Sequence, residues 1–306
     1  MKWSHVSQMS IRKLKNILGT ALFWRRPKTD RPDIPDSEYE VIEKIFVNNT
    51  VFRVRMDGRL YYFRVIEDRE GSLASVCRGL ATKEAGALFG IESFYPKNTV
   101  VRLTGLGLGV LQEKALGETI MAYTKEQRLG MLTADFQRML NDFNLADAVC
   151  HEADHSPNNY NVVIDGNGKL EGISCFDNNG RGTFACRSDV SFLTYKGVSP
   201  FVLPNGIVNR PHFSREMAEK LDGITWRKTY RRLHGYLKFA PILFFYRRLV
   251  RIRKAVRNTA KTNPEFLLRC GEWDRKTIDE ELSGVYGKTY LGSFVNDCLP
   301  KGKPQA

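Results

Sequence analysis

The Asp57-Gly58 pair, set between two β-prone runs at residues 50–56 and 59–67, restricts this chain most. Asp-Gly supplies two consecutive residues that tolerate positive φ, so it closes a two-residue hairpin and makes its flanking runs pair antiparallel. A third β-prone run at residues 40–47 precedes them across Asn48-Asn49, which predicts three consecutive antiparallel strands. Residues 70–90 carry helical patterning that stops at Gly90. Residues 100–104 and 109–114 then read as two more strands around the glycine-rich stretch 105–109. Those glycines lie between strands and open no helix, so they are not a dinucleotide fingerprint. From residue 124 to 150 the pattern changes to a long helix, with Leu129, Leu132, Phe136, Met139, Leu140 and Phe143 recurring every three or four positions. The expected fold class is α+β, an antiparallel sheet followed by a mainly helical part.

Residues 154–177, DHSPNNYNVVIDGNGKLEGISCFD, are the chemically richest stretch. Asp154 precedes Pro157, and Asn159 stands five positions after the acid, directly before a β-prone run at residues 160–164. A turn at residues 166–168 and a second run at 169–176 then deliver Asp177. Two short strands joined by a tight turn thus hold Asp154, Asn159 and Asp177 at the ends of a hairpin. Phosphoryl transfer needs that set: one carboxylate to orient an attacking hydroxyl, and an amide oxygen with a second carboxylate to hold Mg²⁺ against nucleotide phosphates. The same stretch has two other readings. Asp, Asn and Gly are ordinary loop residues, and His151, Glu152 and His155 spell H-E-x-x-H, the pattern of a zinc hydrolase. Against zinc, Pro157 would end the helix almost at once, and no third ligand follows in a helical setting.

At these residues the chain resembles the protein-kinase-like superfamily, whose catalytic loop is an Asp followed by four residues and an Asn, commonly with Pro third after the Asp. Asp154, Pro157 and Asn159 match those positions, and Asp177 stands where the second metal-binding Asp follows a strand, turn and strand. Here Asp177 is followed by Asn178, Asn179 and then Gly180, which departs from the usual motif and looks more like atypical branches such as the HipA-like, phosphoinositide and secretory-pathway kinases. The resemblance implies a two-lobed fold, a small lobe at 39–115 and a large lobe at 116–306, which follow a basic amphipathic helix and linker at 1–38 that the residue pattern itself predicts. It also implies ATP with Mg²⁺ or Mn²⁺ as cofactors, with Asp154 orienting the acceptor and Asn159 and Asp177 binding the metal.

The resemblance extends to the small lobe. Arg64 stands in the third strand where the family carries Lys, and Glu84 in the helix is the expected acidic partner of that cation, with Lys83 as an alternative cation. Arg pairs phosphate bidentately but is longer and flatter than Lys, which puts full catalytic competence in question. The first turn lacks a Gly-rich signature, so phosphate contacts there would fall to Asn48, Asn49 and Thr50. Residues 110–117, ending in Glu113, a charged connector and Gly117, resemble the family's hinge, where adenine is recognised by backbone groups.

Forty-seven Lys and Arg against 34 Asp and Glu give a net charge of +13, which calls for an acidic partner such as a nucleotide, a polyanion or an anionic lipid surface. The six cysteines include no C-x-x-C pair and sit mostly in apolar runs, as expected of reduced core residues in a cytoplasmic protein. The apolar stretch at 17–24 is short, interrupted by Gly19 and Thr20, and followed by Arg25-Arg26-Pro27, so it does not read as an export signal. Ile11, Leu14, Leu18, Ala21 and Leu22 instead predict a basic amphipathic helix, and residues 27–37 a linker. Residues 225–261 contain twelve Arg and Lys and no acid, around an apolar plug at 239–246 that is too short to span a bilayer. That composition fits an anionic membrane surface, with Phe239, Phe244 and Phe245 inserting; nucleic acid is a weaker fit.

The expected function is an ATP- and Mg²⁺-dependent phosphotransferase acting on a hydroxyl of a protein, saccharide or lipid-linked acceptor. Its rivals are a nucleotide-binding pseudokinase scaffold, a nucleotidyl transferase on the same fold, and the zinc hydrolase. The expected location is cytoplasmic and peripheral to a membrane; the sequence is silent on oligomeric state.

Overall fold

A computed structural model describes residues 23–30, 32–46, 50–66, 70–119, 122–123, 139, 142, 146, 149–150, 160–167, 170–175, 184, 213–262 and 264–268. The expected N-terminal helix at 11–22 lies outside them. Five strands, β1 (Tyr39–Phe46), β2 (Thr50–Met56), β3 (Arg59–Val65), β4 (Asn98–Leu103) and β5 (Gly107–Glu113), form one antiparallel sheet in the order β1-β2-β3-β5-β4. The chain is therefore mixed α+β with an antiparallel sheet. The β2–β3 connection has Asp57 at φ 50 and Gly58 at φ 73 between paired Met56 and Arg59, the two positive values a type I′ turn requires.

Helix α1 (Glu70–Phe89) links β3 to β4. It ends in a Schellman arrangement: Gly90 is at φ 70, its N–H bonds the Ala87 carbonyl, and the Ile91 N–H bonds the Gly86 carbonyl. The helix is buried on two sides. Val76 and Leu80 pack with Ile66, Val100, Leu108 and Val110 of the sheet layer, whereas Cys77, Ala81, Ala85 and Phe89 join the large helical core. Small residues permit that double burial: a Cβ on Gly86 would lie 2.5 Å from the Tyr95 ring.

The opposite face of the sheet buries Val54, Met56, Phe63, Val101, Leu103 and Leu111 around Ile34. Ile34 belongs to the expected linker at 27–37, and the structure corrects that expectation. The segment runs along β4, with Asp30 N–H donating to the Val100 carbonyl, Ile34 N–H to Arg102 and Thr104 N–H to Ile34. Asp30 also accepts from the Val100 N–H at 2.6 Å. Extended, proline-bearing chain suits a sheet margin because it needs hydrogen bonds on one side only, and here it covers an edge strand that would otherwise stay open.

A second, three-stranded antiparallel sheet consists of β6 (Glu118–Thr119), β7 (Tyr160–Ile164) and β8 (Leu170–Cys175). Met139, Asp142, Ala146, Val149 and Cys150 are helical and buried, at the three- and four-residue steps expected of the 124–150 helix. After β9 (Phe213–Ser214) come α2 (Arg215–Gly223), α3 (Trp226–Leu233) and α4 (Phe239–Thr262). Ser214 and Thr225 cap α2 and α3 by accepting from the N–H groups of Met217 and Lys228. Residues 264–268 form a short 3₁₀ turn and β10 (Leu267–Leu268), which pairs parallel with β9.

The basic segment behaves differently from its local composition. Residues 239–246 are the first two turns of the 24-residue α4, with Pro241 in the first turn where its missing N–H costs nothing. Phe245 is fully buried, stacked on Phe184 at 5.8 Å and tilted against Phe89 at 6.2 Å, and Phe244 meets Phe23 at 6.3 Å. The expected insertion of Phe245 into acyl chains is thus corrected, since Phe245 is core; Phe244 is half-buried and Phe239, 60% exposed, faces solvent. Arg248 is buried and donates its Nε to the Val149 carbonyl at 2.7 Å. Arg253 and Arg257 reach Asp222 of α2, an acid supplied from outside the acid-free segment. Among the described residues, no helix is long and apolar enough to cross a membrane.

Candidate active site

The two sheets border a cleft of about 420 Å³. Ile45 and Val51 contribute from β1 and β2, Tyr62 and Arg64 from β3, Gln112 and Glu113 from β5, and Asn161 from β7; Lys114, Ala115 and Gly117 supply the connector between the sheets. The period of two in β3 explains the division of labour: Tyr62 and Arg64 face the cleft, while Phe63 between them is wholly buried in the core beneath.

Arg64 sits between Val51 and Val110 in the sheet register and is held from the helix side, where its Nη1 donates to Ser75 Oγ at 3.3 Å. One turn earlier, Ser72 Oγ donates to the Val65 carbonyl at 2.9 Å. Two serines at i, i+3 on α1 therefore tie the helix to β3. The expected pairing of Arg64 with Glu84 does not form. Glu84 accepts from Arg232 Nη1 of α3 at 3.1 Å, and it lies nine residues beyond Ser75, about 13 Å along the axis. Lys83 is not a substitute in the cleft, since its Nζ donates to the Pro96 carbonyl at 3.0 Å. Burial lowers its pKa, with Glu84 and Glu113 acting in the opposite sense. Glu113 does line the cleft, where it faces Lys97 at 3.9 Å.

Behind Arg64 lies a smaller cavity of about 40 Å³, bordered by Ser75, Gly79, Asn98 and Cys175 and sharing Arg64 and Gln112 with the main cleft. Cys175, the last residue of β8, is paired with Tyr160, the first of β7. One end of the hairpin thus faces the Arg64 cation. In the sequence Asn159 directly precedes Tyr160, and Asp177 lies two positions beyond Cys175. Asp154, Asn159, Asp177, Asn48, Asn49 and the His151-Glu152-His155 set lie outside the described residues.

Two side chains of this site were not expected from the sequence, Ser75 and Asn161, and they act on two residues that were, Arg64 and Gly117. Gly117, at φ 74, brings the connector so close to β7 that a Cβ would fall on the Val162 carbonyl oxygen. Asn161, 7% exposed, donates its Nδ2 to the Gly117 carbonyl at 3.1 Å. Because that carbonyl can only accept, the amide orientation is set, and the buried Asn161 Oδ1 has no hydrogen-bond partner among the described residues. The signal for Asn161 was an amide within an otherwise apolar β run; that for Ser75 was the Ser72, Ser75 spacing. A cation at one end of the cleft and a chain connector along its other side suit a ligand that carries negative charge at one end.

No family model and no curated protein matches the chain.

Proposed function

We propose that the protein is an ATP- and Mg²⁺-dependent phosphotransferase with a two-lobed, protein-kinase-like architecture, acting on a hydroxyl of a protein, saccharide or lipid-linked acceptor. One observation carries the reading: the Arg64 cation and the end of the β7–β8 hairpin that Asn159 directly precedes, and that Asp177 follows by two positions, border the same small cavity, behind a cleft large enough for a nucleotide. The sheet order β1-β2-β3-β5-β4, with one helix between β3 and β4, supports it further.

In this reading the nucleobase lies against the connector and Asn161, with Arg64 toward the phosphates. Asn159 and Asp177 would hold the metal, which would supply neutralisation of the phosphate charge when bound. Asp154 orients the acceptor hydroxyl and takes its proton as the new O–P bond forms and the bond to the leaving ADP oxygen breaks. Arg64, held by Ser75, contributes a bidentate cation where charge accumulates.

Thermal unfolding with ATP and Mg²⁺ or Mn²⁺ tests the proposal, and a ligand at a hundred times its Kd should add roughly 2.7 kcal/mol. Asp177→Asn should remove the metal-dependent part and leave the fold intact. No shift with any nucleotide, together with stoichiometric bound zinc, would refute the reading in favour of the zinc hydrolase. A metal-dependent shift without release of ADP would select the scaffold.

A further inference from the structure

A second concavity, of about 820 Å³, opens on the far side of α1, walled by α1, the end of α2, and α3 with its C-terminal turn. Four cations, Lys220, Lys228, Arg231 and Arg232, line it against a single carboxylate, Glu84. Arg232 is paired with Glu84, and Lys228 Nζ donates to the Gly223 carbonyl at 3.0 Å. Lys220 and Arg231 have no acidic partner among the described residues. His234 at the rim donates its Nδ1–H to backbone carbonyls, 2.9 Å from that of Arg231, and stacks on Tyr230. Like charges converging on one hollow repel each other, and low-dielectric walls focus their field into the space between them. The arrangement is stabilised by an anion that enters it. Helices on three sides shape the hollow for a compact ligand, and its volume falls in the range of small-molecule sites.

We infer that this basin, formed by α1, α2 and α3, is a binding site for a compact oligophosphate, a ligand with two or more phosphate groups close together, which competes with Glu84 for Arg232. The site lies apart from the Arg64 cleft, shares no residue with it, and stands independently of the phosphotransfer proposal. The competition gives the variants opposite signs. Removing a cation weakens binding, while removing the carboxylate frees Arg232 and strengthens it.

Isothermal titration of the full chain with inorganic tripolyphosphate, in EDTA so that metal chemistry in the cleft is silent, tests the inference. Saturable one-to-one binding is expected. Arg231→Gln and Lys220→Gln should each weaken it about fivefold, as loss of one partly screened charge at contact distance implies. Glu84→Gln should tighten it by a similar factor. Arg59→Gln, the same charge change on an exposed strand residue outside the basin, should leave it unchanged, as should Arg64→Gln. Equal weakening by Arg59→Gln would reduce the effect to net charge and overturn the site, and loss in Arg64→Gln would move the phosphate to the cleft. Flotation on phosphatidylglycerol vesicles that needs Arg231, without tripolyphosphate binding, would assign the surface to a membrane and equally overturn the inference.

Discussion

Replacing Gly117 by alanine should destabilise the protein by about 2–4 kcal/mol and empty the cleft of ligand, and two other glycines calibrate that number. At φ 74, a side chain at residue 117 pays the left-handed penalty of about 1–2 kcal/mol. The new Cβ would overlap the Val162 carbonyl oxygen and lie 2.7 Å from its carbon and 3.1 Å from the Val163 Cα. All three are backbone atoms that cannot rotate away, so crowding adds about 1–3 kcal/mol. Against this, alanine restricts the unfolded chain, which returns about 0.4–1 kcal/mol. Gly107, at φ 90 with nothing within 4 Å of a Cβ, isolates the backbone contribution, and Gly107→Ala should cost about 1 kcal/mol. Gly172 in β8 has neither positive φ nor a close neighbour, so Gly172→Ala should be neutral or slightly stabilising. Urea unfolding followed by circular dichroism gives the three values. If Gly117→Ala falls within about 0.5 kcal/mol of Gly172→Ala, the connector does not press on β7 and the cleft as described is wrong. A folded fraction of Gly117→Ala that still shows the full nucleotide-dependent thermal shift would separate the cleft from ligand binding.

Other outcomes follow from the same geometry. Phe245→Ala should cost about 3–5 kcal/mol because it empties a site closed by Phe89 and Phe184, whereas Phe239→Ser should cost less than about 1 kcal/mol; comparable small values by urea titration would mean that α4 does not face the core. Arg64→Ala should abolish nucleotide binding while Arg64→Lys retains part of it and Lys83→Ala none of the defect, and a crippling Lys83→Ala would relocate the phosphate-binding cation. Burial pushes the Cys77 thiol up to about 12 and, with Glu84 and Asp30, the Tyr236 hydroxyl up to about 12, against 9.0 and 10.0 for the free groups. The folded state therefore holds protons that the unfolded chain releases: this stability is complete below pH 9 and is lost as pH rises through 12. Denaturation midpoints at pH 8, 10 and 11 should fall in wild type and fall less in Cys77→Ala; an equal fall in both would exclude the thiol.

Local chemistry determined the strands and turns of the five-stranded sheet. Asp57-Gly58 permits few turns other than the one observed, Gly90 stops α1 because only positive φ continues the chain there, and the alternating runs place the strands within one or two residues. These signals act over neighbouring residues, so no distant partner can change them. The cleft was legible only in part: Arg64 and Glu113 were expected there and line it, but the partner of Arg64 was not. Which residue of a helix faces a strand depends on the helix's rotation and height, and those are decided by packing Val76 and Leu80 on the sheet and Cys77, Ala81 and Ala85 on the helices. That packing puts Ser75 at the cation and carries Glu84 away to α3. The basic segment misled for the same reason. Its charges and aromatics are the same in any environment, but whether Phe245 meets lipid or Phe184, and whether Arg257 is free or holds Asp222, depends on elements far away in the chain. Only the tertiary structure brings those groups together, because burial and charge compensation belong to the assembled surface and not to the segment.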